Sequence, residues 1–271
     1  NAILLGITLG SAPAFHNGLF ILQLPVLLTL AILWFHRNTP PQPAMAMLST
    51  SLNLTTLLIL LPADAFRVGQ FSFAVLSWFH LYIAAASTLL ISCFGRLPCN
   101  KNVLLTLALT GAALLIPIWA ETLGGAAFLS GKITLLDRIT EARSPLQMAL
   151  TAGGIRETLS YYSFFGLLAP ALLIIYIGRI LKYQNPPMLF FAVMTVFGLS
   201  LLFMQFRLHY FGSFTLLLGW AILANEKLTI AQRRPALTTL AGFAVVAAAF
   251  SIGVNAKILV PYNLGLDPAY E

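Results

Sequence analysis

The sequence predicts an all-α fold, a polytopic transmembrane helix bundle with about eight spans and one long external loop. Three observations predict it. The 271 residues are 59% hydrophobic, with a mean hydropathy of +0.89. Only 8% are charged, where a soluble domain carries about 25%. Apolar runs of the length a bilayer-crossing helix needs, about 20 residues, recur between short polar joins.

Taken in order, the candidate spans cover roughly residues 17–36, 43–62, 71–95, 103–121, 160–181, 188–206, 208–224 and 237–258. Residues 1–12 read as the tail of an earlier span. The chain opens on Asn1 in mid-pattern, with no n-region and no cleavage signal, so residues 1–271 read as a transmembrane fragment of a longer protein. Proline punctuates the joins at "HRNTPPQP" (36–43), "RLPCNK" (96–101) and "KYQNPP" (182–187). No internal repeat, heptad seam or low-complexity tract interrupts this pattern. "NLT" at 53–55 has the form of a glycosylation acceptor but falls inside a span.

Charge fixes an orientation. One set of joins holds Arg37, Arg96, Lys101, Arg179, Lys182, Lys227, Arg233 and Arg234, against the single acid Glu226. The alternate set is mixed in sign: Asp64 and Arg67, then 121–158, then the tail from 258. Basic loops face the cytoplasm, so the mixed set lies outside. Cys93 and Cys99 then sit near the cytoplasmic face, where a disulfide does not persist, and they form no CxxC. The net charge of +7 is spread singly between apolar runs, not gathered on a soluble face, which argues against nucleic acid as a partner. No GxSxG, HExxH or P-loop appears.

The outer segment 122–159 is far longer than the other joins, and a loop beyond about 15 residues is usually functional or disordered. Its "DRITEARSP" gathers Asp137, Arg138, Glu141 and Arg143, flanked by "GGAAFLSG" and "LQMALTAGG". Glycines at 124, 125, 131, 153 and 154 bracket it as hinges. One reading is a catalytic flap. The other is a solvated loop in which Asp137 pairs with Arg138 or Arg143 at little energetic gain. "MQFRLHYFG" (204–212) brings Gln205, Arg207, His209 and Tyr210 to the outer meeting point of two spans. An arginine at mid-bilayer costs about 2.5–3.5 kcal/mol on insertion scales and marks a pathway or ligand. Near a span end it also serves as a snorkelling anchor within an aromatic belt. As a ligand group, its planar fork suits phosphate oxygens. In "LPADAFRVGQFSFAVLSWFHLY" (61–82), Asp64 and Arg67 lie at the surface. His80 is either a satisfied core histidine or a substrate group. Trp78 and Tyr82, at i and i+4, share a helix face and read as packing.

"RITEARSP", "LPADAFRVGQFSFAVLSWFHLY" and "QFRLHYF", in this order and all on the outer face, together resemble the catalytic subunit family of oligosaccharyltransferases, the single-subunit bacterial and archaeal enzymes with a GT-C membrane fold. The resemblance covers about residues 60–271. That family carries a Thr-Ile-x-Glu type motif on a large external loop. Ile139, Thr140 and Glu141 fit its last three positions, and Arg138 replaces the first threonine. The resemblance implies that Glu141 is catalytic, lies at a divalent-cation site (Mn²⁺ or Mg²⁺) and engages the amide of the acceptor asparagine. It implies that Arg207 contacts a lipid-linked pyrophosphate. Arg138, Arg143, His209, Tyr210 and His80 complete the candidate set as substrate-binding groups. The partners so implied are a lipid-linked oligosaccharide, an acceptor polypeptide and membrane lipid. The location implied is a bacterial or archaeal cytoplasmic membrane with the active face external.

The family's acidic ligands on earlier outer loops, and the Trp-Trp-Asp pocket of its C-terminal soluble domain, are not among these residues. The fragment alone is therefore expected to be inactive. The chemistry agrees with the residues independently: glycosyl transfer from a polyprenyl diphosphate needs positive charge at the departing phosphate and a carboxylate near the acceptor. A hinged loop excludes water as it closes. Three alternatives stay open: another GT-C enzyme using a polyprenyl phosphate sugar with a different acceptor, a lipid-sugar transporter, and a non-catalytic membrane subunit. A transporter calls for ionisable groups at mid-bilayer, and here the charges gather at the faces.

Overall fold

The regular structure is helical throughout the residues that the computed structural model describes, which are 1–129, 144–149, 154–204, 208, 211–227, 234–235 and 237–245. Among the described residues, the α-helices run in the order α1 (Ala2–Phe15), α2 (Gln23–Phe35), α3 (Gln42–Leu60), α4 (Asp64–Arg67), α5 (Trp78–Arg96), α6 (Lys101–Leu129), α7 (Pro145–Ala149), α8 (Gly154–Arg179), α9 (Pro186–Met204) and α10 (Thr215–Lys227), with residues 237–245 also helical. A 3₁₀ turn, Asn17–Leu22, leads into α2. Among the described residues, five helical stretches are long and apolar enough to cross a membrane: 17–35, 42–60, 78–96, 101–121 and 186–204. The chain is an integral membrane helix bundle.

The sequence dictates most of the boundaries. Pro41 precedes α3 and Pro43 sits in its first turn, where a missing N–H costs nothing. Asn100 accepts the Val103 amide at 2.9 Å and starts α6. Ser144 and Gln147 exchange bonds in a capping box at the start of α7. α2 ends in a Schellman motif: the Asn38 amide donates to the Leu33 carbonyl and the Arg37 amide to Trp34, with Arg37 at φ 56°. Glycine usually takes that position, and Gly69 does so after α4, at φ 76°.

Residues 1–12, expected as the tail of an earlier span, lie in the apolar helix α1. Other expectations shift. The span expected at 71–95 starts only at Trp78, because Gln70–Ser77 is a bonded loop. The outer segment expected at 122–159 is shorter, since α6 continues to Leu129 and α8 starts at Gly154. Gly124 and Gly125, expected as hinges, lie within α6, at a cost of about 1 kcal/mol each relative to alanine. The expected 208–224 span is represented by α10, of 13 residues, and that at 237–258 by helical residues 237–245.

The chain divides into two compact units. The first holds residues 1–132 and 181–190. Its core joins Leu9 of α1, Leu30 and Trp34 of α2, Leu48 and Leu52 of α3, and Ala84 and Ile91 of α5. Gly6 and Gly10 let α1 lie directly against α3: a Cβ on Gly10 would stand 2.7 Å from the Leu52 carbonyl oxygen, and one on Gly6 2.7 Å from that of Leu48. Hydrogen bonds between polar side chains fix α5. Ser87 donates to Gln23 of α2 at 2.7 Å, and Asn53 of α3 donates to Thr88. The amide of "NLT" is thus committed inside the bundle.

The second unit holds residues 133–180 and 191–271. Tyr176 of α8 is fully buried, donates to the Gly219 carbonyl of α10 at 3.1 Å and meets the ring of Phe191 at the start of α9. Gly198 of α9 meets Phe211 and Gly212 backbone to backbone, where a Cβ would lie 2.1 Å from the Phe211 oxygen.

Candidate functional site

Each unit presents one end bound by basic joins and one opposite end. In the first unit, Trp34 Nε1 donates to the Leu97 carbonyl at 2.7 Å, Gln42 to Gly95 and Asn38 to Gln184. These bonds gather the joins that carry Arg37, Arg96, Lys101 and Lys182 at one end, as the charge pattern predicts. At the other end lie His16, Asn17, the 61–77 connection and Glu121.

The 61–77 connection is built, not slack. Ser77 Oγ accepts the Ser72 and Phe79 amides and donates to the Ser72 carbonyl at 2.6 Å. Asn17 donates its side-chain amide to the Ala74 carbonyl, and the Phe73 amide donates to Glu121 Oε1 at 3.4 Å. Arg67 Nε donates to the Leu61 carbonyl at 3.1 Å. Trp78 stacks on Phe66 with ring centres 4.6 Å apart, and its Nε1 donates to the Phe66 carbonyl. Tyr82 donates to the Leu114 carbonyl of α6 at 2.8 Å. Pro117, one turn on, has no N–H to donate to the helix ladder.

His80 has its role inside this structure. It is 1% exposed and closes a capping box with Ser77. The Ser77 amide donates to Nδ1, so Nδ1 is the unprotonated nitrogen, and Nε2–H donates to the Asn17 carbonyl at 3.2 Å. Phe20 and Phe79 cover the ring edge-on. Both nitrogens are therefore engaged by backbone groups. The satisfied core histidine is the reading this geometry favours over the substrate-binding one, because a ligand would have to displace one of those bonds.

In the second unit, Arg179 and Glu226 pair at 2.6 Å and put the C-termini of α8 and α10 at one end. Phe191, in the second turn of α9, lies against Tyr176, and Gly198, in the second half of that helix, meets Gly212 just before α10. The candidates Arg138, Glu141, Arg143, Arg207, His209 and Tyr210 themselves lie outside the described residues.

Among the described residues, no group of three or more His, Cys, Asp or Glu is placed to hold a metal ion, so the expected divalent cation has no ligand set there. The sequence reading passed over Asn17, Ser77 and Glu121. The spacing Ser77-x-x-His80 is a capping-box spacing and carried the signal for two of the loop's ties. Nothing local marked Asn17, whose partner is 57 residues away.

No family model matches the chain, and no curated protein matches it. Among solved structures, it is similar to the archaeal oligosaccharyltransferase AglB from Archaeoglobus fulgidus, determined with an inhibitory peptide and a dolichol-phosphate. The TM-score is 0.65 at 17% sequence identity, over 94% of this chain and 34% of that one. The chain thus spans about a third of that protein's length, and what the two share at this identity is the fold of a membrane-embedded helical domain.

Proposed function

We propose that this chain is part of a membrane glycosyltransferase of the oligosaccharyltransferase type, one that moves a glycan from a polyprenyl-diphosphate carrier to a protein asparagine. The observation that carries this reading is the fold likeness to AglB across 94% of the chain. The resemblance of "RITEARSP" and "QFRLHYF" to that enzyme family supports it independently of the fold.

In this reading the bond from the sugar carbon to the carrier phosphate oxygen breaks, a bond from that carbon to the acceptor nitrogen forms, and the amide proton it replaces is lost to the departing diphosphate or to water. Arg207 donates hydrogen bonds to the phosphate oxygens as negative charge builds on the leaving diphosphate. Glu141 accepts from the acceptor side-chain amide and holds its nitrogen toward the sugar carbon. Arg138, Arg143, His209 and Tyr210 line the binding surface for donor and acceptor. A divalent cation would add Lewis-acid stabilisation of the phosphate, and Glu141 is the residue of this chain assigned to it.

The test uses the full-length protein in proteoliposomes with a lipid-linked oligosaccharide and a fluorescent Asn-x-Thr peptide. Glu141→Gln is expected to lower transfer by about 10²–10³-fold, the scale of losing one transition-state contact, with folding unchanged. Transfer that survives in the variant removes Glu141 from the site. No transfer by the unaltered protein with any donor removes the enzymatic reading.

A further inference from the structure

We propose that the basic end of the first unit is a binding site for an anionic phospholipid, whose headgroup is held by Arg37, Arg96, Lys101 and Lys182. Three joins meet there: one after α2, one between α5 and α6, and one before α9. The bonds from Trp34 to Leu97, from Gln42 to Gly95 and from Asn38 to Gln184 tie these joins together. The four cations therefore stand on one braced frame, and all four are exposed. None is in an ion pair among the described residues, and residues 36–41, 96–101 and 181–185 contain no aspartate or glutamate. Like charges held on one frame repel, and an anion between them relieves the repulsion.

Local preference runs against two of these cations where they stand. Arg37 sits at φ 56°, in the left-handed position of the Schellman motif that favours glycine. A positive charge does suit the C-terminus of α2, but a basic residue one turn earlier would supply it without the backbone strain. Lys101 opens α6, where the helix dipole favours an acid over a base. Residues that break a local rule in this way collect at functional sites.

The neighbours of the cations argue for a lipid as the occupant. Exposed Phe35 lies two residues from Arg37, exposed Leu97 follows Arg96, and exposed Leu181 precedes Lys182. A soluble phosphate or an acidic protein loop calls for cations alone. A phospholipid calls for a cation at its phosphate and apolar surface beside it for its chains, and that pairing recurs at each of the three joins. In the orientation given by the basic joins, this end faces the cytoplasmic leaflet, whose surface charge comes from anionic lipids.

To test this, the full-length protein is stripped of lipid in detergent and titrated with phosphatidylglycerol or phosphatidylcholine, and bound lipid is counted by native mass spectrometry. One phosphatidylglycerol is expected to bind more tightly than any phosphatidylcholine. Arg37→Gly is expected to weaken that lipid about fivefold, the scale of one cation at an anionic surface, and Arg96→Gln combined with Lys182→Gln about 30-fold. Glycine suits the backbone at 37, so that variant should unfold at no lower temperature, and its weaker binding is not a folding defect. Arg37→Lys is expected to keep the binding. Equal affinity for the two lipids, or an affinity for phosphatidylglycerol that none of the neutral variants changes, overturns the proposal. Glycerol phosphate that displaces the lipid at matching concentration also overturns it, because the site would then serve a soluble phosphate.

Discussion

His80 shows how far a single residue is legible in a sequence of this kind. A histidine in an apolar run invites a ligand role, yet its two nitrogens join the start of α5 to the Asn17 carbonyl. His80→Ala leaves the buried Ser77 amide without a partner, a loss of about 1–3 kcal/mol, and frees the part-buried Asn17 carbonyl at a smaller cost. The variant is expected to unfold at a lower temperature in detergent and, when assayed cool, to keep the KM of the unaltered protein. A raised KM with unchanged stability would restore the substrate-binding role. The Ser77-x-x-His80 spacing was readable as a cap, whereas the long-range bond to Asn17 was not, because nothing in a linear sequence marks which carbonyl a ring will meet. Arg37 is hidden for a related reason: its left-handed backbone is imposed by the α2–α3 turn, and glycine or asparagine is the residue that announces such a site.

At the scale of elements, apolar runs of about 20 residues located the spans, and the prolines located most joins. Side-chain pattern failed where backbone bonding decides. The apolar stretch 71–77 reads as helix, but Ser72, Ser77 and Asn17 hold it as a loop. "ETLGGAAFL" reads as the start of a loop because of its paired glycines, but α6 runs through it. The Gly6-x-x-x-Gly10 spacing was there to be read as a helix-packing face, and the contact of α1 with α3 gives it that meaning. Gly10→Leu would push a side chain into the Leu52 backbone and is expected to cost about 1–3 kcal/mol. Gly111→Leu, where nothing lies within 4 Å of the added Cβ, is the matched control and should leave thermal stability unchanged. Equal losses from both would mean that α1 and α3 do not touch through their glycines.

For the whole molecule, charge was the most informative single signal. The basic joins read from the sequence are brought together by Trp34, Gln42 and Asn38 in the first unit and by Arg179 with Glu226 in the second. A membrane-impermeant maleimide added to intact cells is expected to label Arg67→Cys, and to label Lys101→Cys only after permeabilisation, in a chain with Cys93 and Cys99 replaced by serine. The reverse pattern would invert the orientation and place the proposed active face in the cytoplasm. The candidate catalytic groups were legible only through resemblance to a family. Glutamate and arginine on long connections carry no periodicity, so no physical pattern in the chain singles them out from other exposed charges.

The length of α6 sets how it meets the bilayer. Its 29 residues measure about 44 Å along the axis, about 14 Å more than the hydrocarbon layer is thick. A helix of that length fits wholly inside the layer only by a steep tilt; along the membrane normal its surplus of more than two turns stands outside, so the loops at its two ends cannot both sit at the hydrocarbon boundary.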